Sequence, residues 1–291
     1  MSSTTIRIAL PKGRIFKRVE ALLDDCGLPL RKAERAYRPD VDDERFVLKI
    51  LKAQNIARLV ELGSHDLGFT GHDWVKETSA DVVELYDLGF DPVRVVVAAP
   101  RGTEIATLRA LPRVVVVSEY ERLTRHWLET QGLTYHFVRS YGATEVFPPE
   151  DADLIVDNTA TGETLVKNGL AILETVLHST TRLIANREAL DDPEKRRVID
   201  ELLLLVRAVM DARARVILEM NIDDERLAQL MLRLPAMRSP TVSPLYAAEG
   251  TRKAWAVKVA VRRAEVARLV PELKRLGATD ILETAIRKVI P

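Results

Sequence analysis

Short apolar runs rich in β-branched residues alternate with longer amphipathic stretches along this chain, and this alternation limits the possible folds more than any other feature. Runs of strand length stand at 6–10, 93–98 and 114–117, and stretches such as 121–131 carry apolar side chains at helical spacing. The alternation predicts α/β units with parallel strands. The run 93–98 is apolar enough to indicate a strand that is covered on both faces.

The last third of the chain has a different pattern. The stretch 193–214 begins with Pro193 and an early Glu194 and carries one apolar stripe, which predicts a single long helix. The order after it is strand, helix, strand, strand, helix, strand, with the second strand expected at 241–247 and the last at 281–289. This order predicts a ferredoxin-like domain.

Composition and charge exclude several classes of protein. The 291 residues include 43 Lys plus Arg and 43 Asp plus Glu, so no overall field favours a nucleic acid or a membrane as partner. Apolar stretches are far shorter than the roughly 20 residues of a membrane helix, and the N-terminus lacks a secretory pattern. The single cysteine excludes an internal disulfide, and His65 and His72 lack a third metal ligand at suitable spacing. We therefore expect a cytoplasmic protein without a metal site of its own.

The segment 153–170 carries the sharpest functional signal. Leu154, Ile155 and Val156 indicate a buried strand, and a helix follows that ends at Gly169. Backbone N–H groups at the start of such a helix lack partners within the helix and can bind an anion, and threonine hydroxyls add donors. The residues expected to hold a phosphate are Asn158, Thr159, Ala160, Thr161, Gly162 and Thr164.

Asp157 stands between this strand and the loop. A carboxylate repels a phosphate unless it faces a different group, and ribose hydroxyls are suitable donors to it. A carboxylate beside a phosphate loop therefore indicates a phosphorylated ribose as ligand. The alternative interpretation is an ordinary threonine-rich helix start that Asp157 caps.

Four motifs in the same order resemble those of the ATP phosphoribosyltransferase family. They are LPKGR at 10–14, KAQNIARLVELGSHDLGFTGHD at 52–73, GATEVFPPEDADLIVDNTATGETL at 142–165 and SPTVSPL at 239–245. The similarity covers essentially the whole chain, and the last motif resembles the regulatory domain of the family's long form. Lys52 departs from the pattern, because many members have arginine there.

The resemblance implies an α/β fold with a two-lobed catalytic region, like a type II periplasmic binding protein, and a C-terminal ferredoxin-like (ACT-like) α+β domain. One catalytic lobe is expected at 1–92 with 180–212, and the other, with the phosphoribosyl-pyrophosphate loop, at 93–179. The regulatory domain is expected at 213–291.

The resemblance also implies a reaction and residue roles. ATP would condense with 5-phosphoribosyl 1-pyrophosphate in the first step of histidine biosynthesis, with Mg²⁺ bound mainly through substrate phosphates, histidine as inhibitor, and a homo-oligomer from dimer to hexamer. The expected catalytic residues are Lys12, Lys52 and Asp157. The expected nucleotide-binding residues are Lys12, Gly13, Arg14 and Asp73. The residues expected to bind the regulatory histidine are Asn221, Thr241 and Leu245.

Other interpretations of these residues and of the chain remain open. Lys12 and Arg14 could be ordinary surface charges, and Asp73 could be the N-cap of the helix that follows it. A two-lobed solute receptor would share the fold, but it predicts a secretion signal or a DNA-binding helix pair. A phosphoribosyltransferase for free bases usually has two adjacent acidic residues, whereas Asp157 is followed by Asn158.

Overall fold

The computed structural model describes residues 4–31, 37–235, 237, 239–246 and 253–290, and the chain forms two compact units, Met1–Asp200 and Glu201–Pro291. The strands of the first unit are β1 (Ile6–Pro11), β2 (Phe46–Leu51), β3 (Leu67–Gly71), β4 (Val83–Asp87), β5 (Val93–Pro100), β6 (Val114–Ser118), β7 (Tyr135–Arg139), β8 (Leu154–Thr159), β9 (Leu170–Ser179) and β10 (Thr181–Ala185). Its helices are α1 (Arg14–Cys26), α2 (Ala53–Glu61), α3 (His72–Thr78), α4 (Ile105–Ala110), α5 (Glu121–Thr130), α6 (Glu163–Lys167) and α7 (Arg187–Asp191). The chain continues in α8 (Pro193–Arg213), β11 (Arg215–Asp223), α9 (Asp224–Met231), β12 (Thr241–Pro244), β13 (Ala254–Arg262), α10 (Val266–Arg275) and β14 (Thr279–Ala285).

The first sheet has the strand order β2-β1-β3-β10-β4. β1 is parallel to β2 and β3, whereas β10 is antiparallel to β3 and β4. Helix α2 packs on this sheet because its apolar residues recur at helical spacing. Ile56, Ala57 and Val60 therefore share one face, and they belong to one buried cluster with Ala9 and Ile184 of the strands.

The second sheet has the strand order β7-β6-β8-β5-β9. Val95 and Val97 belong to one apolar cluster and Val96 and Ala98 to another, so both faces of β5 are covered, as predicted. The prediction of parallel strands is confirmed for β6 with β7 and β8. It was wrong for β5, which is antiparallel to β8 and β9 because it carries the chain into this sheet from the first one.

Two chain segments cross between these sheets, one from β4 to β5 and one from β9 to β10. Main-chain hydrogen bonds join the two crossings, since the Leu88 N–H donates to the Thr181 oxygen and the Thr181 N–H to the Phe90 oxygen, both at 3.0 Å. Asp91, on the first crossing, has a left-handed backbone with φ of 47°. The predicted lobe boundaries, after residues 92 and 179, stay predictions.

The third sheet lies in the second unit and has the strand order β12-β13-β11-β14, with every pairing antiparallel. Apolar residues of β11 and β13 form a cluster with Leu230 of α9 and with Leu269 and Leu273 of α10. The ferredoxin-like prediction, and with it the predicted fold class, is confirmed. The bounds of two strands differ from the prediction. β14 begins two residues earlier and ends at Ala285, four residues before the predicted end, and β12 ends at Pro244, while residue 247 lies outside the described residues.

The long helix predicted at 193–214 is confirmed as α8. None of the helices in the described ranges has the length and apolar character that spanning a bilayer requires.

Candidate active site

The loop predicted to hold a phosphate lies between β8 and α6. β8 continues to Thr159, three residues beyond the predicted strand, so Asp157 lies within the strand. Helix α6 has five residues, and Gly162 precedes it as N-cap with φ of 86°. Because this backbone conformation strongly favours glycine, Gly162 fixes the turn into α6. The alternative in which Asp157 caps the helix was wrong.

Threonine hydroxyls accept hydrogen bonds from two of the main-chain N–H groups that were predicted to bind an anion. The Gly162 N–H donates to Thr159 Oγ1 at 2.9 Å, and the Glu163 N–H donates to Thr161 Oγ1 at 3.3 Å. Each hydroxyl oxygen accepts a hydrogen bond and keeps its own proton to donate. The exposed residues between Asn158 and Thr164 are Asn158, Ala160, Thr161, Glu163 and Thr164.

Asp157 is half-buried and crowded by other acids. Burial raises the pKa of Asp157 to about 6, and Glu119 and Glu145 add to the rise, although the Asn158 amide and the Thr144 hydroxyl donate to the carboxylate. The Asn158 N–H lies 2.6 Å from Asp157 Oδ1. Asp157 is therefore a carboxylate whose charge is poorly compensated by the protein, as expected of a group that awaits donors from a ligand.

Four of the predicted site residues line one cavity of about 350 Å³, which we call the Lys12 cavity. Lys12, Arg14, Asp73 and Asn158 line it, together with Trp74. Gly13 stands just before α1 with φ of 91°, so the turn that carries the two cations also depends on a glycine. The structure thus brings the first motif, the second motif and the phosphate loop together.

The two cations of the Lys12 cavity have different surroundings. Lys12 Nζ lies 3.4 Å from the Tyr37 hydroxyl and 5.4 Å from the centre of its ring. Arg14 Nε lies 3.1 Å from Asp91 Oδ1, and the Asp91 side chain is 5% exposed. Arg14 is therefore held by a buried carboxylate, and Lys12 is the less constrained of the two.

Asp73 belongs to a buried hydrogen-bond network. It accepts from the Tyr120 hydroxyl at 2.6 Å and from the Ser179 hydroxyl at 2.6 Å. Burial and the Asp73 charge raise the pKa of Tyr120 well above its ordinary value, which keeps the hydroxyl protonated as a donor. The N-cap of α3 is Gly71, so the alternative in which Asp73 caps that helix was wrong. Asn158 Nδ2 donates to the Tyr120 oxygen at 2.9 Å and joins the network to the phosphate loop.

Lys52 lies apart from Lys12, in a second cavity of about 590 Å³ that we call the Lys52 cavity. Its other cations are Arg58, Arg122 and Arg139. Trp74 lines both cavities.

The three residues predicted to bind histidine lie on one face of the third sheet. Ser243 pairs with Ala256, and Ala256 with Asn221, so Thr241, Leu245 and Asn221 have the same orientation by register. The opposite face carries the apolar cluster. Asn221 Nδ2 donates to Asp280 Oδ2 at 2.9 Å, and no hydrogen bond among the three residues is present in the described part of the chain.

Sequence reasoning missed Tyr120, Ser179 and Asp91. No motif distinguishes them, and only the fold brings Ser179 to Asp73 across 106 residues. In the described part of the chain, no three His, Cys, Asp or Glu side chains are grouped closely enough to hold a metal ion.

Profiles of two protein families match this chain. The profile of the ATP phosphoribosyltransferase family matches residues 52–208, and that of the HisG C-terminal domain matches residues 212–288. An ATP phosphoribosyltransferase of Chlorobium phaeovibrioides is 40% identical over 99% of both chains. One of Pelotomaculum thermopropionicum is 38% identical over 98% of this chain and 99% of its own. A solved chain of the ATP phosphoribosyl transferase (HisG:HisZ) complex from Thermotoga maritima has a TM-score of 0.62 at 22% identity, over 69% of this chain and 98% of that one, which supports the fold.

The two family profiles together match residues 52–208 and 212–288, and the relatives match along nearly the whole chain. The catalytic-region match includes Lys52, Asp73 and the phosphate loop, and the second match covers the ferredoxin-like domain. The chain therefore belongs to the ATP phosphoribosyltransferase family in its long form, and it is a transferase of the first step of histidine biosynthesis.

Proposed function

We propose that the phosphoribosyl transfer takes place at the end of β8, where Asp157 lies beside the threonine loop. The lone pair of adenine N1 of ATP forms a bond to ribose C1 of 5-phosphoribosyl 1-pyrophosphate, and the electron pair of the broken C1–O bond leaves with pyrophosphate. The observation that carries this proposal is a poorly compensated carboxylate next to hydroxyl donors. Because pyrophosphate is a good leaving group, positioning and charge neutralisation supply most of the catalysis.

The threonine loop binds the 5′-phosphate in this proposal. Thr159 and Thr161 have oxygens that accept from main-chain amides, so each hydroxyl proton remains available to donate to a ligand. Hydrogen bonds to a charged group contribute roughly 1.5–3 kcal/mol each. Thr164 adds a third hydroxyl, and Asn158, Ala160 and Gly162 complete the loop.

Asp157 binds the ribose hydroxyls. Its carboxylate receives three donors from the protein, which are the Asn158 N–H at 2.6 Å, Asn158 Nδ2 at 3.4 Å and the Thr144 hydroxyl, and it retains capacity for more. Hydrogen bonds from the sugar would stabilise the ionised form, which the surroundings disfavour. The same contact would orient C1 for attack.

The two cavities accommodate the polyphosphates. Lys12, Gly13 and Arg14, with Asp73 behind them, form the proposed nucleotide site in the Lys12 cavity. Lys52 is proposed to contact a polyphosphate in the Lys52 cavity, which is lined both by cations and by the carboxylates Glu77 and Glu119. Arg58 and Arg139 of this cavity already pair with Glu61 and Glu121. Lys52 acts there as a point charge, without the two-pronged geometry of an arginine.

Mg²⁺ is proposed to arrive on the substrate. The described residues do not form a carboxylate cage that would fit the ion, whereas Mg²⁺ commonly binds through substrate phosphates. It would neutralise charge on the departing pyrophosphate.

The ferredoxin-like domain is proposed to bind histidine as an inhibitor, through the face that carries Asn221, Thr241 and Leu245. We further propose a homo-oligomer, from dimer to hexamer, in which a ligand on this domain changes the packing of subunits. Support comes from the long-form family match and from the shared face of the three residues.

The test mixes the purified protein with ATP, Mg²⁺ and 5-phosphoribosyl 1-pyrophosphate and follows the absorbance of N1-substituted adenine. We expect product in the unaltered protein, and a loss of at least about 100-fold in kcat/KM with Asp157→Asn. Asp151→Asn is the matched control, because Asp151 is an exposed carboxylate just before β8. Full activity of Asp157→Asn would contradict the proposed role, and activity that histidine leaves unchanged would contradict the regulatory one.

A further inference from the structure

Helix α5 begins without a capping side chain of its own. Its N-cap residue, Tyr120, makes no side-chain capping hydrogen bond. Instead, the Arg122 N–H donates to Glu77 Oε1 and the Leu123 N–H donates to Glu77 Oε2, both at 3.0 Å. A carboxylate at this position satisfies two amides that the helix leaves unpaired and faces the positive end of the helix dipole.

Glu77 comes from the other sheet. It lies on α3, which follows β3 of the first sheet, whereas α5 follows β6 of the second. A helix attached to one sheet therefore caps a helix attached to the other. Such a cap fixes the two sheets relative to each other as well as the helix that it caps.

Further contacts join α3 to the start of α5. Trp74 stacks on Tyr120 with ring centres 4.5 Å apart and planes 20° from parallel. Asp73 accepts from the Tyr120 hydroxyl, and the Lys76 oxygen accepts from Arg122 Nη1 at 2.9 Å. We call this set of contacts, with the Glu77 cap, the α3–α5 contact.

The α3–α5 contact is connected to the proposed reaction centre by hydrogen bonds. The Tyr120 oxygen accepts from Asn158 Nδ2 at 2.9 Å, and the Asn158 N–H donates to Asp157 Oδ1 at 2.6 Å. A shift at the start of α5 would therefore move Tyr120 and, through Asn158, the carboxylate proposed to hold the ribose. Trp74, in the same contact, is the residue shared by the two cavities.

We propose that Glu77 is a positioning residue for the phosphoribosyl transfer. By capping α5 from the first sheet, it holds Tyr120 and Asn158 where they orient Asp157, and it keeps the two sheets close enough to exclude water from ribose C1. This role rests on the proposed function, in which Asp157 binds the ribose. Glu77 also lines the Lys52 cavity, but the role proposed for it is exerted through α5 and not by contact with the reacting atoms.

The experiment compares Glu77→Ala and Glu77→Gln with the unaltered protein. Glu104→Ala is the control, because Glu104 is an exposed glutamate that precedes α4 without a capping hydrogen bond. Three quantities are measured: hydrogen exchange of the Arg122 and Leu123 amides without substrates, the KM for 5-phosphoribosyl 1-pyrophosphate, and the ratio of pyrophosphate released to phosphoribosyl-ATP formed. The ratio reports water attack on C1 and does not depend on the fraction of folded enzyme.

For Glu77→Ala we expect exchange of the two amides to be about fivefold faster, as loss of a cap predicts. We expect the KM to rise about tenfold and the product ratio to exceed one. Glu77→Gln keeps one acceptor oxygen and should give values of exchange, KM and product ratio between those of Glu77→Ala and the unaltered protein. If Glu77→Ala does not fold, Glu77→Gln alone tests the proposal. Glu104→Ala should match the unaltered protein.

Faster exchange together with an unchanged KM and a ratio of one would overturn the proposal, because Glu77 would then be a cap and nothing more. Unchanged exchange would overturn the contact on which the proposal is built. Absence of product from the unaltered protein would overturn the proposed function instead, and the exchange measurement would still test the cap.

Discussion

Asp157 shows how a residue proposed to bind substrate can oppose folding. Its carboxyl group has a pKa of about 6 in the folded protein, against an ordinary value of 3.8. A carboxyl group whose pKa is raised on folding binds its proton more tightly in the folded state, so its ionised form destabilises the protein at neutral pH. The structure therefore carries an energetic cost at the position proposed to bind the ribose.

We predict that Asp157→Asn raises the melting temperature at pH 7 although it lowers kcat/KM by at least about 100-fold. The amide removes the cost of a buried charge, which is at most roughly 3 kcal/mol for a shift of this size. Near pH 4 the difference in melting temperature between the variant and the unaltered protein should largely disappear, because Asp157 is then protonated and uncharged in the folded protein. Thermal melts at the two pH values check this, and a lower melting temperature at pH 7 would show that Asp157 stabilises the fold.

The pH dependence of the reaction should follow the same carboxyl group. If ribose hydroxyls donate to the ionised form, kcat/KM for 5-phosphoribosyl 1-pyrophosphate should fall as the pH drops through about 6, because this constant reports the free enzyme. Initial rates between pH 5 and pH 8 at low concentrations of this substrate would measure it. A flat profile across that interval would contradict the role of the carboxylate.

At the scale of secondary-structure elements, side chains pack closely around Gly71 at the junction of β3 and α3. A Cβ atom on Gly71 would stand 2.1 Å from Asp73 Oδ1 and 3.5 Å from the Ser179 hydroxyl. Gly71 has a φ of −71°, so any residue could adopt its backbone, and the requirement for glycine is one of volume alone. The close approach lets Asp73 reach Tyr120 and Ser179 together.

Gly71→Ala should therefore displace the Asp73 carboxylate and destabilise the protein by about 1–3 kcal/mol, as overpacking usually does. Urea unfolding gives the free energy of unfolding, and the matched control is Gly89→Ala, where a Cβ would meet no atom within 4 Å and the cost is that of a positive φ. Equal losses in the two variants would show that the space around Asp73 is not limiting.

At the scale of the whole molecule, Asp66 joins elements that are distant in sequence. It accepts from the Arg7 main chain at 2.8 Å, from Arg7 Nε at 3.1 Å and from Lys195 Nζ at 2.8 Å. β1, the start of β3 and α8 thus meet at one carboxylate that is 2% exposed. Burial alone would raise the pKa of Asp66, but the hydrogen bonds from Arg7 and Lys195 outweigh it and hold the pKa below its usual range.

Asp66→Asn should lower the free energy of unfolding by roughly 2–3 kcal/mol at pH 7, because two cations lose their partner. A carboxyl group whose pKa is lowered on folding contributes stability above its ordinary pKa and loses it as the pH falls through the folded value. The difference between variant and unaltered protein should therefore shrink below about pH 4. Denaturant unfolding at pH 7 and pH 3 checks this, and a difference that does not change with pH would exclude the charge as its cause.

How much of the fold the sequence reveals depends on how much each element buries. The strands predicted at 93–98, 114–117 and 154–156 are central and apolar, whereas β2, β4 and β9 lie at sheet edges, and none of these three was predicted. Burial is not the only factor, because β7 also lies at an edge and was predicted, from the run 135–138. β10 was missed because only Thr180 separates it from β9. An edge strand covers less of its surface, so its residues keep a weaker alternation.

Residue types alone predicted the candidate site only where one segment carries the chemistry, whereas Lys12, Arg14 and Asp73 were expected through the family resemblance. The loop from Asp157 to Thr164 is continuous, and its residue types indicate the ligand. The partners of Asp73 are 47 and 106 residues away, and Glu77 is 45 and 46 residues from the amides that it caps. Such pairings depend on the topology of the two sheets, which no local pattern encodes.

The hydrogen bonds between the two crossing segments have a mechanical consequence. Because Leu88, Phe90 and Thr181 tie both crossings into one joint, the sheets cannot slide past each other without breaking main-chain bonds. An opening of the first unit that keeps these bonds and releases the α3–α5 contact would therefore be a rotation at that joint. In the proposed function, such a rotation would separate a sugar phosphate bound at the end of β8 from a nucleotide bound after β1.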